Sequence, residues 1–376
     1  MNRRNFLGRS ALSLAALSLG TSCTREKKTI RIPQAGAQTV APAFGEIRAL
    51  LLHLGSNMWC DFPTELMGGL CEESRDLLEV KPETHLVWTD EEWRRVTEHA
   101  AGRGINMIVL DLGEGLFYPS HPELAIPGTW SVERMQAEIQ RLNAMGFEVI
   151  PKLNFSTTHN GWMGDYRHMV SSQPYYRMCE DVIRDVVEIF GHPRYFHIGF
   201  DEERASFQEN EKFHYICVRR GEYWWRDFLH IVGQVEKHGA RPWMWSDYGW
   251  KHDDFVSKCP KSVVHNNWYY DEWMDGFDLS KMKPDAKSRP LLELYLKLDK
   301  AGFDQVPCAS NWCSWDRTKA GVKNDDCMAN MVKFCRANLS PAHLKGFLMA
   351  PWAGDFDEKD FLKVNYAGID QLAAAL

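Results

Sequence analysis

The chain alternates short apolar runs with segments of helical period, and this alternation constrains its fold more than any other feature. The runs are nearly wholly apolar, which is typical of parallel strands covered by helices on both faces. Eight runs occur, at residues 47–54, 105–112, 147–154, 195–201, 242–247, 263–268, 306–311 and 347–352. Helical segments are predicted at residues 90–102, 131–145, 175–190, 222–238, 290–298, 326–337 and 359–375. Eight strands with helices between them favour a closed (β/α)8 barrel over a doubly wound sheet.

Length and organisation indicate one folded domain. The chain has 376 residues, of which 44% are apolar, so it can bury a large core. A barrel of this type routinely uses that much chain. No internal repeat, low-complexity tract or proline-rich linker follows residue 46. We therefore predict a single α/β barrel domain over residues 47–376.

The first 46 residues have the pattern of an export signal followed by a tether. Arg3 and Arg4 precede an apolar stretch at residues 11–19 and a small-residue segment that ends at Cys23. This pattern predicts a twin-arginine signal peptide over residues 1–22, with lipid attachment at Cys23. The polar residues 23–46 are predicted to form a flexible tether. The apolar stretch is shorter than the ~20 residues that span a bilayer. We expect an exported protein, either periplasmic or anchored to the membrane through Cys23.

Charge and composition weigh against several function classes. The net charge is −7, and no basic run follows residue 28, so nucleic-acid binding is not expected. None of the ten cysteines forms a Cys-x-x-Cys pair, and no Gly-rich phosphate loop is present. No pair of histidines has the spacing of metal ligands on one helix face. We expect neither a metal nor another cofactor.

The predicted carboxyl ends of the strands carry acids, histidine and tryptophan. A (β/α)8 barrel builds its site at these ends, and the fourth run ends in the adjacent carboxylates Asp201 and Glu202. Other strand ends supply His159, Trp245, Asp247, Trp268, Trp315, Asp316 and Trp352. Each residue alone also fits a buried core or a solvated loop. Their recurrence favours a carbohydrate, because tryptophan rings stack on the apolar face of a sugar while carboxylates bind its hydroxyls.

The fourth run also carries a motif. The pattern His197-x-Gly199-x-Asp201-Glu202 resembles the signature of the family 20 glycoside hydrolases, the β-N-acetylhexosaminidases. Segments 146–151, 243–247 and 346–352 are similar to that family's third, fifth and last strands, so the resemblance covers roughly residues 47–375. Several positions differ from the family pattern, two of them beside the predicted site. Phe200 replaces a small residue and is expected to narrow the pocket, and Ser314 replaces the tyrosine of a Tyr-x-Asp pattern.

The resemblance implies a glycoside hydrolase that removes β-linked N-acetylhexosamine by substrate-assisted retaining hydrolysis, and the N-terminal pattern implies that this hydrolase is exported. Glu202 would be the general acid and base, and Asp201 would orient the acetamido group. Trp245, Trp268 and Trp352 would surround the acetamido group of the substrate. His159, Asp247 and Asp316 would contact the sugar hydroxyls, and Trp315 would also bind the substrate. Neighbouring strand residues point to opposite sides, so the chain must leave strand geometry at Asp201 for both acids to face one pocket.

Three other functions remain open from the sequence. A barrel glycosidase could use a conventional acid pair, Glu202 with Asp247 or Glu114, on sugars that lack an acetamido group. A lipoprotein could bind glycan without cleaving it. A metal-dependent hydrolase has the least support. The first two would also have a glycan as partner.

Overall fold

The computed structural model describes residues 45–59, 85–206, 216–270, 279–283, 285–311, 326–352 and 358–376. Eight parallel strands form one sheet in the order β6-β5-β4-β3-β2-β1-β8-β7. They are β1 (Ile47–His53), β2 (Met107–Asp111), β3 (Glu148–Lys152), β4 (Tyr195–His197), β5 (Arg241–Trp245), β6 (Val264–Asn266), β7 (Cys308–Ala309) and β8 (Gly346–Met349). The predicted signal peptide and nearly all of the tether lie outside the described residues.

The two ends of this strand order meet. Backbone bridges join His265 to Gln305 and Trp268 to Cys308, which links the β6 region to the β7 region. The sheet therefore closes into a barrel, and the predicted (β/α)8 fold is confirmed. Each of the eight apolar runs overlaps one strand. Most strands are shorter than the runs, because the chain leaves the sheet early at its carboxyl end and builds loops there.

The helices surround the barrel. They are α1 (Asp90–Gly102), α2 (Val132–Ala144), α3 (Gln173–Ile189), α4 (Glu222–Lys237), α5 (Phe255–Lys258), α6 (Arg289–Lys300), α7 (Cys327–Asn338) and α8 (Glu358–Ala375). Local sequence sets where several begin. Thr89 forms a capping box with Glu92 at the start of α1, and Ser131 caps α2. Among the described helices, none combines the length and the apolar character that crossing a membrane requires.

Alternate strand residues pack into two apolar layers. Leu50 and Leu52 of β1 face outward and pack in the cluster that includes the helices. Ala49 and Leu51 face the barrel interior, in a separate cluster with Trp243. This alternation follows from the two-residue period of a strand. The inner layer also includes Trp245, so its aromatic residues continue up to the carboxyl ends of the strands, where the predicted site lies.

Candidate active site

The backbone leaves strand geometry directly after β4. Gly199, Phe200 and Glu202 all have positive φ, at 71°, 73° and 55°. Residues with a side chain adopt this region rarely, so the conformation of Phe200 and Glu202 must be held by their surroundings. Both acids, Asp201 and Glu202, consequently approach the same histidine, His159. A regular strand would have pointed them to opposite sides.

Side chains from three strand ends hold this turn. The backbone N–H of Gly199 donates to Nδ1 of His197 at 3.1 Å. The N–H of Phe200 donates to Asn154 Oδ1 at 3.3 Å, and the N–H of Glu202 donates to Asp247 Oδ2 at 2.9 Å. Each donor is a buried or half-buried backbone group that needs an acceptor. The turn is therefore specified by the residues that follow β3 and β5, and by His197 of β4.

His159 lies between the two carboxylates. Its Nδ1 is 3.7 Å from Asp201 Oδ1, and its Nε2 is 3.7 Å from Glu202 Oε2. Thr158 Oγ1 is 2.7 Å from the same Nδ1. Burial lowers the pKa of His159, so the ring is neutral at neutral pH. Within the described part of the chain, these three residues are the one group whose donor atoms cluster closely enough, within 4.8 Å, to hold a metal ion.

The segment after β3 positions Asp201. Asn154 Nδ2 donates to Asp201 Oδ1 at 2.8 Å. The hydroxyls of Ser156 and Thr158 donate to the Asp201 carbonyl oxygen at 2.5 and 3.1 Å. Asp201 itself is buried. The segment after β3 thus holds both the side chain and the backbone of Asp201 before any substrate arrives, which is what electrostatic stabilisation of a developing charge requires.

Asp247 supports Glu202 from the side of β5. Its Oδ2 accepts the Glu202 N–H, whereas its buried Oδ1 has no hydrogen-bond partner among the described residues. Burial, followed by the negative charge of Asp201, raises the pKa of Asp247 to about 7. On the open side, Arg204 Nη2 lies 3.2 Å from Glu202 Oε1. Glu202 is thus the acid that faces both His159 and the more exposed Arg204.

Aromatic rings form one wall of the site. The ring centroids of Trp245 and Trp352 are 5.8 Å apart, and His53 lies 5.4 Å from Trp352. Trp268 stacks on Tyr270 at 4.9 Å, and Tyr270 lies 6.4 Å from Trp352. Both His53 and Tyr270 are close enough to Asp201 to sense its charge. Trp245 therefore contacts Trp352 directly, and Trp268 contacts it through Tyr270. This aromatic wall lies beside the carboxylates.

A buried ion pair lies in the same region of the barrel. Lys152 Nζ bonds to Asp111 Oδ2, and both side chains are almost fully buried. His53 Nε2 is 3.5 Å from the same Asp111 oxygen. Burial lowers the pKa of His53 to about 4, although Asp111 opposes the change. His53 is therefore neutral, like His159, and the buried Lys152 is paired with a carboxylate.

The expectation that Phe200 narrows the pocket is wrong. Its ring packs outward, 5.6 Å from Trp224 and 5.3 Å from Phe228 of α4. The Arg219 guanidinium lies 5.0 Å above the same ring. The positive φ of Phe200 turns the side chain into the layer between barrel and helices. Phe200 is therefore a core residue and does not line the pocket.

The structure does not place every predicted residue. Trp315, Asp316 and Cys23 lie outside the described residues, so their roles stay predictions. Glu114, an alternative acid, is buried, and its Oε1 accepts from the N–H groups of Ser56 and Asn57 at 2.7 and 3.1 Å. Burial raises the pKa of Glu114 to about 7. Through these two hydrogen bonds, Glu114 holds the loop after β1 in place.

Sequence reasoning missed Asn154, Arg204 and Tyr270. Asn154 had a usable signal, since it is the polar residue that ends the third apolar run, as Asp201 ends the fourth. Arg204 follows the motif by two residues and looks like an ordinary solvated side chain. Tyr270 stands two residues after Trp268, at the spacing that puts two strand-like residues on one face.

Several solved structures with similar folds are named as β-N-acetylglucosaminidases or β-N-acetylhexosaminidases. One is the GH20 exo β-N-acetylglucosaminidase from Vibrio harveyi in complex with N-acetylglucosamine, with a TM-score of 0.55 and 12% identity over 86% of this chain and 54% of that one. Another is the Streptomyces plicatus N-acetyl-β-hexosaminidase in complex with Thio-NAglucal, at 0.55 and 13% over 87% and 63%. The Bacteroides fragilis β-N-acetylhexosaminidase gives 0.52 and 12% over 86% and 65%.

At such identities the likeness shows the fold alone. The chain spans about half to two-thirds of the length of these three structures. No curated protein sequence gives a significant match. The profile of the Glycosyl hydrolase family 20 catalytic domain, however, matches residues 63–361, which is most of the chain and includes the His197–Glu202 motif. The chain belongs to glycosyl hydrolase family 20.

Proposed function

We propose that the protein is a glycoside hydrolase that removes β-linked N-acetylhexosamine from glycans by substrate-assisted retaining hydrolysis. One observation carries the proposal: Asp201 and Glu202 approach the same histidine, beside a wall of tryptophan rings. Membership of family 20 and the activities named for the similar structures support it. In this proposal Glu202 transfers the proton, Asp201 stabilises the developing charge, and the tryptophan rings bind the sugar.

Glu202 acts as general acid and then as general base. The acetamido oxygen of the substrate attacks the anomeric carbon while the glycosidic C–O bond breaks, and the leaving oxygen takes the proton of Glu202. The product of this step is an oxazolinium ion. Water then attacks the anomeric carbon, gives its proton to Glu202, and reopens the oxazolinium ring. Glu202 Oε2 lies 3.7 Å from His159 Nε2, and Glu202 Oε1 lies 3.2 Å from Arg204 Nη2.

Asp201 serves the acetamido nitrogen. Its carboxylate accepts the N–H of the substrate and stabilises the positive charge that develops on the nitrogen. The charge develops in a buried site, where a fixed opposite charge has a larger effect than in water. Because Asn154, Ser156 and Thr158 fix Asp201 in place, no reorganisation is needed during the reaction.

The aromatic wall receives the acetamido methyl group and the sugar face. Trp245 is almost fully buried, and its Nε1 has no partner among the described residues. A buried N–H without an acceptor is costly, so a polar atom of the substrate is well suited to it. Trp352 and Trp268 would pack on the apolar part of the ligand.

A conventional two-carboxylate reaction is less suited to this geometry. Its second carboxylate would be Asp247, which follows β5 next to Glu202. Asp247 Oδ2 already accepts the Glu202 N–H, and its raised pKa of about 7 leaves a large protonated fraction at neutral pH. A protonated carboxyl is neither a nucleophile nor a general base.

Hydrolysis of four aryl glycosides tests the proposal. The substrates are the β-N-acetylglucosaminide, its galacto epimer, the β-glucoside and the β-galactoside. We expect turnover of the acetamido substrates alone, with competitive inhibition by a thiazoline that mimics the oxazolinium ion. Turnover of the plain glycosides would favour the two-carboxylate reaction. Glycan binding without turnover would favour a binding protein.

We also propose that the protein is exported by the twin-arginine route and anchored through Cys23. The paired Arg3 and Arg4, the apolar stretch at 11–19 and the position of Cys23 support this. A reporter fused to residues 1–30 should leave the cytoplasm, and Arg3→Lys with Arg4→Lys should retain it. Export of both fusions, or of neither, would contradict the twin-arginine route.

A further inference from the structure

The site brings together three side chains of the kinds that ligate metals. His159 follows β3, whereas Asp201 and Glu202 follow β4, and one donor atom of each lies within 4.8 Å of the other two. His159 Nε2 is 3.7 Å from Glu202 Oε2. Two atoms bound to one zinc ion at ~2.0–2.2 Å in a tetrahedral site lie about 3.3–3.6 Å apart. A small movement of these side chains would therefore complete a metal site whose ligands come from two different strand ends.

Thr158 fixes which nitrogen of His159 has the lone pair. The Thr158 hydroxyl donates to the Asp201 carbonyl oxygen at 3.1 Å, so its oxygen meets His159 Nδ1, at 2.7 Å, as an acceptor. In a neutral imidazole, Nδ1 then carries the hydrogen and Nε2 carries the lone pair that a metal requires. Metal-ligating histidines almost always donate their other N–H to a fixed partner in this way. His159 thus presents Nε2 in the form of a metal ligand, on the side of Glu202.

The two carboxylates are also held by neighbouring side chains. Asn154 Nδ2 donates to Asp201 Oδ1 at 2.8 Å. Arg204 Nη2 lies 3.2 Å from Glu202 Oε1, so Oε2 is the oxygen that faces His159. The side chains of the three ligands are only 3%, 10% and 12% exposed, so a divalent cation would offset two adjacent negative charges that water screens poorly. One imidazole with two carboxylates suits Zn²⁺, whereas Ca²⁺ and Mg²⁺ prefer oxygen ligands alone.

We propose that His159, Asp201 and Glu202 bind Zn²⁺ and that the bound ion inhibits the hydrolase. The metal site stands on the geometry alone, whereas the inhibition rests on the proposed function. Zinc binds both acids as carboxylates. Glu202 then has no proton for the leaving oxygen, and the Asp201 oxygen on the metal is no longer available to the acetamido N–H. Zinc and substrate therefore compete for the same atoms.

Calorimetric titration of ZnCl₂ into chelator-treated protein measures the site without any activity. We expect one ion per chain in the tightest site, and at least tenfold weaker binding in His159→Gln and in Glu202→Gln. The matched control is His121→Gln. His121 also lies between two carboxylates, with Nδ1 2.8 Å from Glu123 Oε1 and Nε2 3.4 Å from Asp181 Oδ2, but these three residues do not form a cluster of converging donor atoms. Unchanged affinity in Glu202→Gln, or an equal loss in the His121 control, would overturn the assignment.

X-ray absorption at the zinc edge identifies the ligands in the unaltered protein. We expect a shell of nitrogen and oxygen atoms alone, at ~2.0–2.2 Å from the metal. The chain has ten cysteines, whose thiolates compete for zinc. Sulfur atoms at ~2.3 Å would place the ion on cysteine and overturn the proposed site.

Steady-state kinetics tests the inhibition. Added Zn²⁺ should raise KM for the aryl β-N-acetylglucosaminide with kcat unchanged, a chelator should restore the original KM, and Mg²⁺ at the same concentration should have no effect. Inhibition that high substrate concentrations do not relieve would overturn the competition, and so would loss of activity on chelation. If zinc binds through nitrogen and oxygen at this site but no acetamido substrate is cleaved, the proposed function fails and the metal site stands.

Discussion

The removal of Arg219 is a direct test of how the fold holds the catalytic turn. Arg219 forms a two-pronged pair with Glu203, with Nε–Oε1 at 2.7 Å and Nη2–Oε2 at 2.8 Å. It also bonds to Asp227 Oδ2 at 3.2 Å and to the carbonyl of Phe155 at 2.8 Å. Glu203 directly follows Glu202, so this arginine ties the end of the catalytic motif to α4 and to the segment after β3.

The burial of this network sets the expected magnitude. The Arg219 and Glu203 side chains are each 2% exposed, and Asp227 is 0% exposed. Removing one partner of a buried pair leaves an uncompensated charge and costs about 3–5 kcal/mol. Asp227 keeps the hydroxyl donors of Ser171 and Tyr176, so the main loss falls on Glu203. We expect Arg219→Met to lower the free energy of unfolding by about 3–5 kcal/mol.

Urea unfolding of the folded protein at neutral pH measures this loss, with activity followed in parallel. Arg94→Met is the matched control, because Arg94 pairs with Glu98 on the exposed face of α1, where both side chains are more than half exposed. Such a pair contributes about 0.3–0.5 kcal/mol. The reasoning is refuted if Arg219→Met costs no more than the Arg94 control.

Three further predictions follow from single contacts. The folded-state pKa of Glu114, about 7, lies above its ordinary value, so the stability that the protonated carboxyl contributes is present in acid and is lost as pH rises through 7. Glu114→Gln should therefore gain stability relative to the parent protein between pH 5 and 8, as measured by thermal unfolding. A stability difference that stays constant over this range would contradict the prediction. Gly199→Ala should abolish activity and destabilise the fold, because its Cβ would meet Asn154 Oδ1 and its φ is 71°; wild-type stability in urea would refute the close contact. Trp352→Ala should raise KM for the aryl β-N-acetylglucosaminide about tenfold by removing one ring of the wall, and an unchanged KM would exclude Trp352 from binding.

The barrel was predictable because its signals are local and repeated. Each strand leaves an apolar run in the sequence, as residues 105–112 do for β2, and Thr89 with Glu92 identifies the start of α1. The motif at His197 to Glu202 identifies the family, which the catalytic-domain profile confirms. Each of these signals lies within one short segment, so it can be read without knowing which distant segments meet in the fold.

The interior of the site was less predictable because it depends on contacts between distant segments. Phe200 and Glu202 adopt positive φ, which their residue types do not indicate, and the outward direction of Phe200 follows from it. The role of Asn154 depends on its hydrogen bonds with Phe200 and Asp201, which lie more than 45 positions later in the chain. The raised pKa of Asp247 likewise arises from burial and a neighbouring charge that no spacing rule gives.

The central claim is that Glu202 gives its proton to the leaving sugar during hydrolysis of an N-acetylhexosaminide. The most direct measurement compares kcat/KM of wild type and Glu202→Gln on a β-linked N-acetylglucosamine disaccharide, whose poor leaving group requires an acid, and on an aryl glycoside that needs little help. We expect a loss of about 10²–10⁴ on the disaccharide and a much smaller loss in bond cleavage on the aryl substrate. Near-wild-type turnover of the disaccharide by Glu202→Gln would contradict the account and remove Glu202 from the role of acid.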